Sequence, residues 1–91
     1  MRVPEPTTED CFASITMRRA EVLAHIADGY SEPEVAARLH LSVSGVHSHV
    51  EDLRLITACR SVRELGRWWR CHRAAWLHYV AYRAGIEIPT A

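Results

Sequence analysis

The apolar side chains of residues 17–26 recur at helical spacing and fall on one face. Thr16 is placed to cap the start of this segment and Gly29 lies just past its end, so the pattern predicts a first amphipathic helix. The residues before it contain prolines, acids and threonines without apolar periodicity. We therefore expect residues 1–14 to form a flexible N-terminal arm.

A second, short helix is predicted to begin at Ser31, because Glu34 completes a capping box and Pro33 is tolerated in the first turn. This helix ends near His40. A join of three residues then leads to a third helix, which Ser42 caps. Two short helices with so tight a connection form a helix-turn-helix.

The third predicted helix has one apolar and one polar face. Val46, Val50 and Leu53 share the apolar face by their spacing. The opposite side carries polar side chains, which are Ser44, His47, Ser48 and Glu51. The apolar face is expected to pack on the rest of the domain, which leaves the polar face for a binding partner.

A fourth helix is predicted to open with a capping box of Ser61 and Glu64 and to run to Ala84. Its apolar seam recurs at alternating steps of three and four residues, at Val62, Leu65, Trp69, His72, Trp76 and Tyr79. Through Trp69 the seam fits either packing within the chain or pairing with a second copy. Beyond Trp69 the domain is expected to be too small to cover it, which favours self-association.

The chain is thus predicted to be all-α, with a four-helix helix-turn-helix domain in residues 15–67. Residues 68–91 extend the fourth helix and add a short tail. Ninety-one residues, 48% of them hydrophobic, suffice for one small core. No apolar run approaches the roughly 20 residues that cross a bilayer, and no signal peptide is visible at the N-terminus. We therefore expect a cytoplasmic protein with no membrane partner.

The net charge is zero, but the charges are unevenly distributed along the chain. Residues 54–73 carry six arginines against a single acid, Glu64, whereas residues 41–53 carry only Glu51 and Asp52. Positive charge is therefore concentrated at the end of the third helix and the start of the fourth. A segment of this kind is a candidate for contact with a nucleic-acid backbone.

Metal binding and catalysis are not predicted. The three cysteines form no CxxC pair, which argues against a disulfide framework and a zinc site. The members of two closely spaced pairs, His47 with His49 and Cys71 with His72, point to different helix faces and cannot share a metal. No nucleophile beside a base and no glycine-rich phosphate loop is visible, so we expect neither a cofactor nor enzymatic activity.

Many residues of this pattern stand in the order of a known motif. They are Thr16, Arg18, EVL at 21–23, Ile26, Ala27, Gly29, Ser31, EVA at 34–36, Leu39, LS at 41–42, Val46, His49, Ser61, Glu64 and Leu65. This set resembles the LuxR/GerE-type helix-turn-helix domain of bacterial transcription factors over residues 15–67. The resemblance implies a four-helix LuxR/GerE-like fold, here with an extended C-terminal helix. A chain of this length is expected to lack an attached receiver or sensor domain.

In that family the third helix enters the major groove of double-stranded DNA and the fourth helix commonly pairs two subunits. By this resemblance the base-facing residues are Val43, Ser44, His47, Ser48 and Glu51. Candidates for the DNA backbone are Arg38, His49, Arg54, Arg60, Arg63 and Arg67. The expected dimer or partner interface consists of Leu65, Trp68, Trp69, His72, Trp76 and Tyr79.

The chain departs from the family at several of these positions. Gly45 stands where the family usually has Thr, His47 where it usually has Lys or Arg, and Glu51 and Asp52 where small polar residues are more frequent. A carboxylate repels phosphate, although Glu51 can accept a hydrogen bond from cytosine N4. The arginines of residues 54–67 are expected to compensate, because non-specific affinity depends on the number of phosphates neutralised. The alternative is that these arginines only solvate an exposed face.

Two functions are compatible with the sequence. The first is a sequence-specific transcriptional regulator that binds DNA as a homodimer, with two third helices about one DNA turn apart on an inverted repeat. The second is a protein-interaction module, of bacterial or phage origin, that keeps the helix-turn-helix scaffold and binds DNA weakly or not at all. Its Trp-rich fourth helix or acidic third helix would then bind RNA polymerase or another regulator.

Overall fold

The computed structural model describes residues 8–86, and all of its regular structure in this range is helical. Five helices follow one another along the chain: α1 Thr8–Ala13, α2 Met17–Ala27, α3 Glu32–Leu39, α4 Val43–Thr57 and α5 Val62–Arg83. The helices α2 to α5 correspond to the four that the sequence predicts. The prediction of an all-α helix-turn-helix domain with a long C-terminal helix is confirmed, with α1 as an additional element.

Each of the four longer helices begins at the hydroxyl predicted to cap it, and these caps are Thr16, Ser31, Ser42 and Ser61. The capping box of α3 is complete, because Ser31 and Glu34 exchange backbone-to-side-chain hydrogen bonds of 3.1 and 3.3 Å. Hydrogen bonds from the Ser31 hydroxyl and backbone lower the pKa of Glu34. The second predicted box is incomplete, since the Glu64 carboxylate accepts from the backbone N–H of Arg60 instead of Ser61.

Two helices end at residues in the left-handed backbone region. His40 ends α3 with φ of 56°, and Ala58 ends α4 with φ of 58°. The left-handed turn at His40 closes the join between α3 and α4, where Leu41 N–H donates to the Ala36 carbonyl at 2.9 Å. This turn sets the direction in which α4 leaves α3.

The core lies around α2, which packs against α3, α4 and α5. Its fully buried side chains are Val22, Leu23, Val35, Val46, Val50, Leu53 and Leu65. Gly66 lets α5 approach α2 closely, because a Cβ at this position would lie 3.4 Å from the Cα of Ala27. The apolar face predicted for the third helix is therefore confirmed as core. In the first half of the seam Leu65 and Trp69 are buried, whereas Val62 is 38% exposed.

The short helix α1 occupies part of the segment for which the sequence predicts a flexible arm. Cys11 and Phe12 are buried in it. The Phe12 ring packs against α5, with centroid distances of 6.3 Å to Trp68 and 5.8 Å to Tyr79. Two apolar residues are too few to produce a visible periodicity, so the sequence pattern does not reveal this helix. Residues 1–7 of the predicted arm lie outside the described residues.

The seam of α5 is covered within the protomer beyond Trp69 as well. Trp76 is 3% exposed, and its indole N–H donates to the Ile15 carbonyl at 3.3 Å. Its ring centroid lies 5.5 Å from that of the buried Trp69. The expectation that the domain is too small to cover this part of the seam was therefore wrong for Trp76, because α1 and the turn after it supply the missing surface.

The residues predicted for a dimer or partner interface therefore divide into two sets. Leu65, Trp69 and Trp76 are buried in the core of the protomer, so a partner cannot reach them in this fold. Trp68, His72 and Tyr79 are half-buried beside Phe12. The prediction is therefore corrected for the first set, whose side chains are not available for intersubunit contact. Only the second set is partly accessible.

Candidate nucleic-acid interface

The outer face of α4 is open over its first two turns. Val43, Ser44, His47 and Ser48 are exposed there, whereas Val46 and Val50 on the inner side are fully buried. These exposed residues span only about 8 Å along the helix axis at 1.5 Å per residue. The structure therefore brings the predicted base-facing residues together on one surface, with the half-buried Glu51 at its far edge.

Both carboxylates of α4 have an arginine partner. Asp52 pairs with Arg19 of α2 at 3.1 Å, and Arg19 also donates to the Ser14 carbonyl at 2.8 Å. Glu51 pairs with Arg54 on the same helix at 2.9 Å. The repulsion that α4 exerts on a phosphate backbone is therefore weaker than its formal charge suggests.

Arg54 has a structural task that its position in the sequence does not reveal. Besides its pair with Glu51, its guanidinium donates to the carbonyl of Arg60 at 2.5 Å, across the turn between α4 and α5. Its Nε is buried without a hydrogen-bond partner in the described part of the chain. Arg54 therefore holds the end of α4 to the following turn and has little charge to offer a DNA backbone.

The other candidate backbone residues differ in their surroundings. Arg60, Arg63 and Arg67 are exposed, and their side chains form no ion pair within residues 8–86. Arg38 is exposed on α3 and places its guanidinium carbon 4.1 Å from the centroid of the Tyr30 ring. His49 is half-buried on the flank of α4. Three arginines near the turn between α4 and α5 thus have no ion-pair partner in the described residues and can bind phosphate.

An additional residue, Glu32, belongs to this surface and was missed by the sequence reasoning. Its two carboxylate oxygens lie 3.1 and 3.3 Å from Nδ1 of His47. Glu32 is the first residue of α3, and His47 lies in the second turn of α4. No spacing rule within one helix connects these positions, so only the packing of α3 on α4 reveals the pair.

Two of the three cysteines, Cys11 and Cys59, are buried, whereas Cys71 is exposed. The Cys11 thiol donates to the Ile56 carbonyl at 3.1 Å, and Cys59 is buried beside the turn between α4 and α5. Burial raises the pKa of both thiols, so they stay protonated at neutral pH. Within the described residues no group of three His, Cys, Asp or Glu side chains is placed to hold a metal ion.

Two open grooves flank the turn between α4 and α5 and the docking site of α1. One, of about 350 Å³, is lined by Asp10, Cys11, Ser14, Leu55 and Ile56. The other, of about 250 Å³, is lined by Thr57, Cys59, Glu64, Arg67, Trp68, Cys71 and His72.

None of the helices in residues 8–86 has the length and hydrophobicity of a membrane span.

A comparison with known families identifies the helix-turn-helix. Residues 13–65 match the GerE family, described as bacterial regulatory proteins of the luxR family. The match covers α2, α3, α4 and the first turn of α5, whereas most of α5 and all of α1 except its last residue lie outside it. No curated protein and no solved structure matches the chain. The chain belongs to the luxR family of bacterial regulatory proteins and carries the DNA-binding helix-turn-helix domain of that family.

Proposed function

We propose that this chain is a sequence-specific transcriptional regulator that binds double-stranded DNA as a homodimer, with α4 in the major groove. The observation that carries the proposal is the exposed polar surface on the first two turns of α4, in a domain of a DNA-binding family. The major groove is about 12 Å wide and admits one helix with its side chains. Ser44, His47 and Ser48 supply the hydrogen-bonding groups that can read base edges there.

The arrangement of charge supports this proposal. Asp52 and Glu51 are paired with arginines, and Arg60, Arg63 and Arg67 carry charge that no partner in the described residues neutralises. Helix α4 is about 22 Å long for its 15 residues, so its C-terminal end extends beyond a groove that holds its first turns. The arginines after that end are then close to the flanking phosphates.

The homodimer is proposed to use the outer side of α5. Tyr82 is exposed there, at 82% of its surface, and Trp68 and Tyr79, which lie within about 60° of it around the helix, are partly accessible. Exposed apolar side chains on one long helix are a frequent feature of subunit contacts. A twofold dimer places two copies of α4 about one DNA turn apart, which predicts an inverted-repeat operator.

The same exposed residues support a second candidate function, a protein-interaction module that uses α5 to bind another protein. Aromatic side chains are frequent anchors of such interfaces. The two functions differ in their dependence on DNA. A partner captured by the purified chain after nuclease treatment favours the interaction module, whereas a symmetric homodimer that covers Tyr79 and Tyr82 argues for the regulator.

Fluorescence anisotropy with a labelled random duplex pool at low salt tests the proposal. We expect the wild-type chain to bind, and the double substitution Arg60→Ala with Arg63→Ala to weaken binding to every sequence. The slope of log affinity against log salt should fall by about two, since each lost phosphate contact contributes about 0.9. Substitution of Ser44 by Ala should instead change the selected sequence.

Arg83→Ala is the matched control for charge. Arg83 is exposed in the last turn of α5, about 30 Å along that helix from Arg63. At about 0.1 M salt its loss should leave DNA affinity nearly unchanged, because this distance is then about three Debye lengths. No association of the wild-type chain with the duplex pool at low salt would contradict the proposed function.

A further inference from the structure

The pair of Glu32 and His47 joins the two helices of the helix-turn-helix at the proposed DNA surface. The His47 side chain is 60% exposed, whereas that of Glu32 is only 24% exposed. Nδ1 of His47 lies 3.1 and 3.3 Å from the two carboxylate oxygens. The histidine ring is thus held on its inner side by α3 and presents its outer side to solvent.

The chemistry of the partner decides which ring nitrogen carries the proton. A carboxylate has acceptor oxygens and no hydrogen to donate, so Nδ1 of a neutral His47 must donate to Glu32. Glu32 is the first residue of α3, at the positive end of the helix dipole. Nε2 is then a hydrogen-bond acceptor, and it has no hydrogen-bond partner within the described residues.

We propose that Glu32 is a positioning residue for base recognition, which fixes His47 in the tautomer whose free Nε2 accepts a hydrogen bond from the exocyclic amino group of adenine or cytosine. This inference rests on the proposed binding of α4 in the major groove. The amino groups of adenine N6 and cytosine N4 are the donors that base pairs present there, whereas guanine N7 and O6 and thymine O4 are acceptors.

The neighbouring side chains do not distinguish donor from acceptor groups on a base edge, so this distinction depends on His47. Ser44 and Ser48 carry hydroxyl groups, which donate or accept and so tolerate either kind of base edge. Glu51 follows one turn later on α4 and is paired with Arg54. No other charged side chain among the described residues contacts the His47 ring. Without Glu32 the ring is free to rotate and to adopt the other tautomer, in which Nε2–H donates to guanine or to phosphate.

The tautomer can be measured on the free protein, independently of any DNA. Long-range proton–nitrogen NMR correlations of the imidazole at pH 8.5, where histidine side chains are neutral, distinguish a protonated Nδ1 from a protonated Nε2. We expect Nδ1–H in the wild type and in Glu32→Gln, because the amide oxygen still accepts. In Glu32→Ala the equilibrium should shift towards Nε2–H.

Selection from a randomised duplex pool at the same pH tests the consequence for recognition. Wild type and Glu32→Gln should share a preference for adenine or cytosine at one operator position. Glu32→Ala and His47→Ala should lose about tenfold of that preference and keep the preferences at other positions. The control is Glu21→Ala, which removes an exposed carboxylate that pairs with Arg18 on α2. It should leave every base preference unchanged.

Two results would overturn the inference directly. A third would overturn the proposed DNA binding on which the inference rests. An unchanged tautomer in Glu32→Ala shows that the pair does not fix the ring. An unchanged base preference in a Glu32→Ala protein that still binds DNA shows that the pair has no part in recognition. If the wild-type chain shows the expected tautomer and binds no duplex, DNA binding itself fails and the base-reading role fails with it.

Discussion

Asp52 and Arg19 show how a residue's effect on binding is decided by its partner. Asp52 adds a negative charge to α4, but Arg19 of α2 lies 3.1 Å away and is itself fixed by the Ser14 carbonyl. The side chain of Arg19 is 23% exposed, so it is more sheltered than its partner. We therefore expect Arg19 to contribute to DNA binding, although it lies on α2 and not on the groove-reading helix α4.

We predict that Arg19→Ala weakens DNA binding several-fold at low salt, because it leaves the charge of Asp52 unbalanced near the phosphates. The double substitution Arg19→Ala with Asp52→Asn should recover most of the loss. Anisotropy titrations at two salt concentrations measure both effects. Arg18→Ala is the control for charge, since Arg18 pairs with Glu21 on the exposed side of α2. Equal losses in Arg18→Ala and Arg19→Ala would argue against a specific role of the Asp52 pair.

Ala58 is a second residue whose conformation leads to a prediction. It ends α4 with φ of 58°, a left-handed conformation that costs a residue with a Cβ about 1 kcal/mol or more. We expect Ala58→Gly to stabilise the fold by about 1 kcal/mol in urea unfolding. Ala84 ends α5 with φ of −88° and serves as the control. Ala84→Gly should lower stability, because glycine gains only freedom in the unfolded chain there.

At the scale of elements, the sequence predicts those features that depend on neighbours along the chain. The caps at Ser31 and Ser42 and the buried face of α4 follow from spacing alone, and the structure has them. Contacts between distant segments do not follow from spacing. The docking of Phe12 on α5 and the pair of Glu32 with His47 are examples, since each depends on how two helices are packed.

Helix α1 is itself a product of such packing. Six residues are too few for a helix to be stable alone in water, so α1 depends on its contacts with α5. Phe12 is buried against Trp68, His72 and Tyr79. The helix therefore behaves as an extension of the core that lies outside the family match.

We predict that Phe12→Ala lowers the free energy of unfolding by about 3 kcal/mol, as expected for the loss of a buried phenyl ring. Urea denaturation followed by circular dichroism at 222 nm measures the change. Glu9→Ala on the exposed side of α1 should alter stability by less than about 0.5 kcal/mol. Similar stabilities of the two variants would show that α1 is not docked in solution.

At the scale of the whole molecule, the two proposed surfaces lie on different elements. The described chain measures 40 × 35 × 19 Å, with the base-facing residues on α4 and the exposed apolar residues near the C-terminal end of α5. Leu65, Trp69 and Trp76 are buried in the core, so contact between subunits must use exposed side chains. Dimer formation and the reading of a half-site are then separable by mutation.

We predict that Tyr82→Glu reduces the dimeric mass seen by light scattering and lowers affinity for an inverted repeat at least tenfold. Affinity for a single half-site should change little, because α4 is untouched. Leu77→Glu is the control, since Leu77 is exposed about 140° around α5 from Tyr82 and the substitution adds the same charge. A monomeric wild-type chain at the concentrations used for DNA binding would contradict the homodimer.

All three indole rings of the chain, those of Trp68, Trp69 and Trp76, lie on α5, and α4 has none. The intrinsic emission of the protein therefore reports the environment where α1 meets α5. Occupancy of the groove-reading surface on α4, which carries no indole, should leave the emission maximum almost unchanged, so the fluorescent label has to be on the DNA. One titration then measures two quantities separately. The anisotropy of the labelled DNA follows association, and the tryptophan emission of the unlabelled protein shows whether its fold is intact.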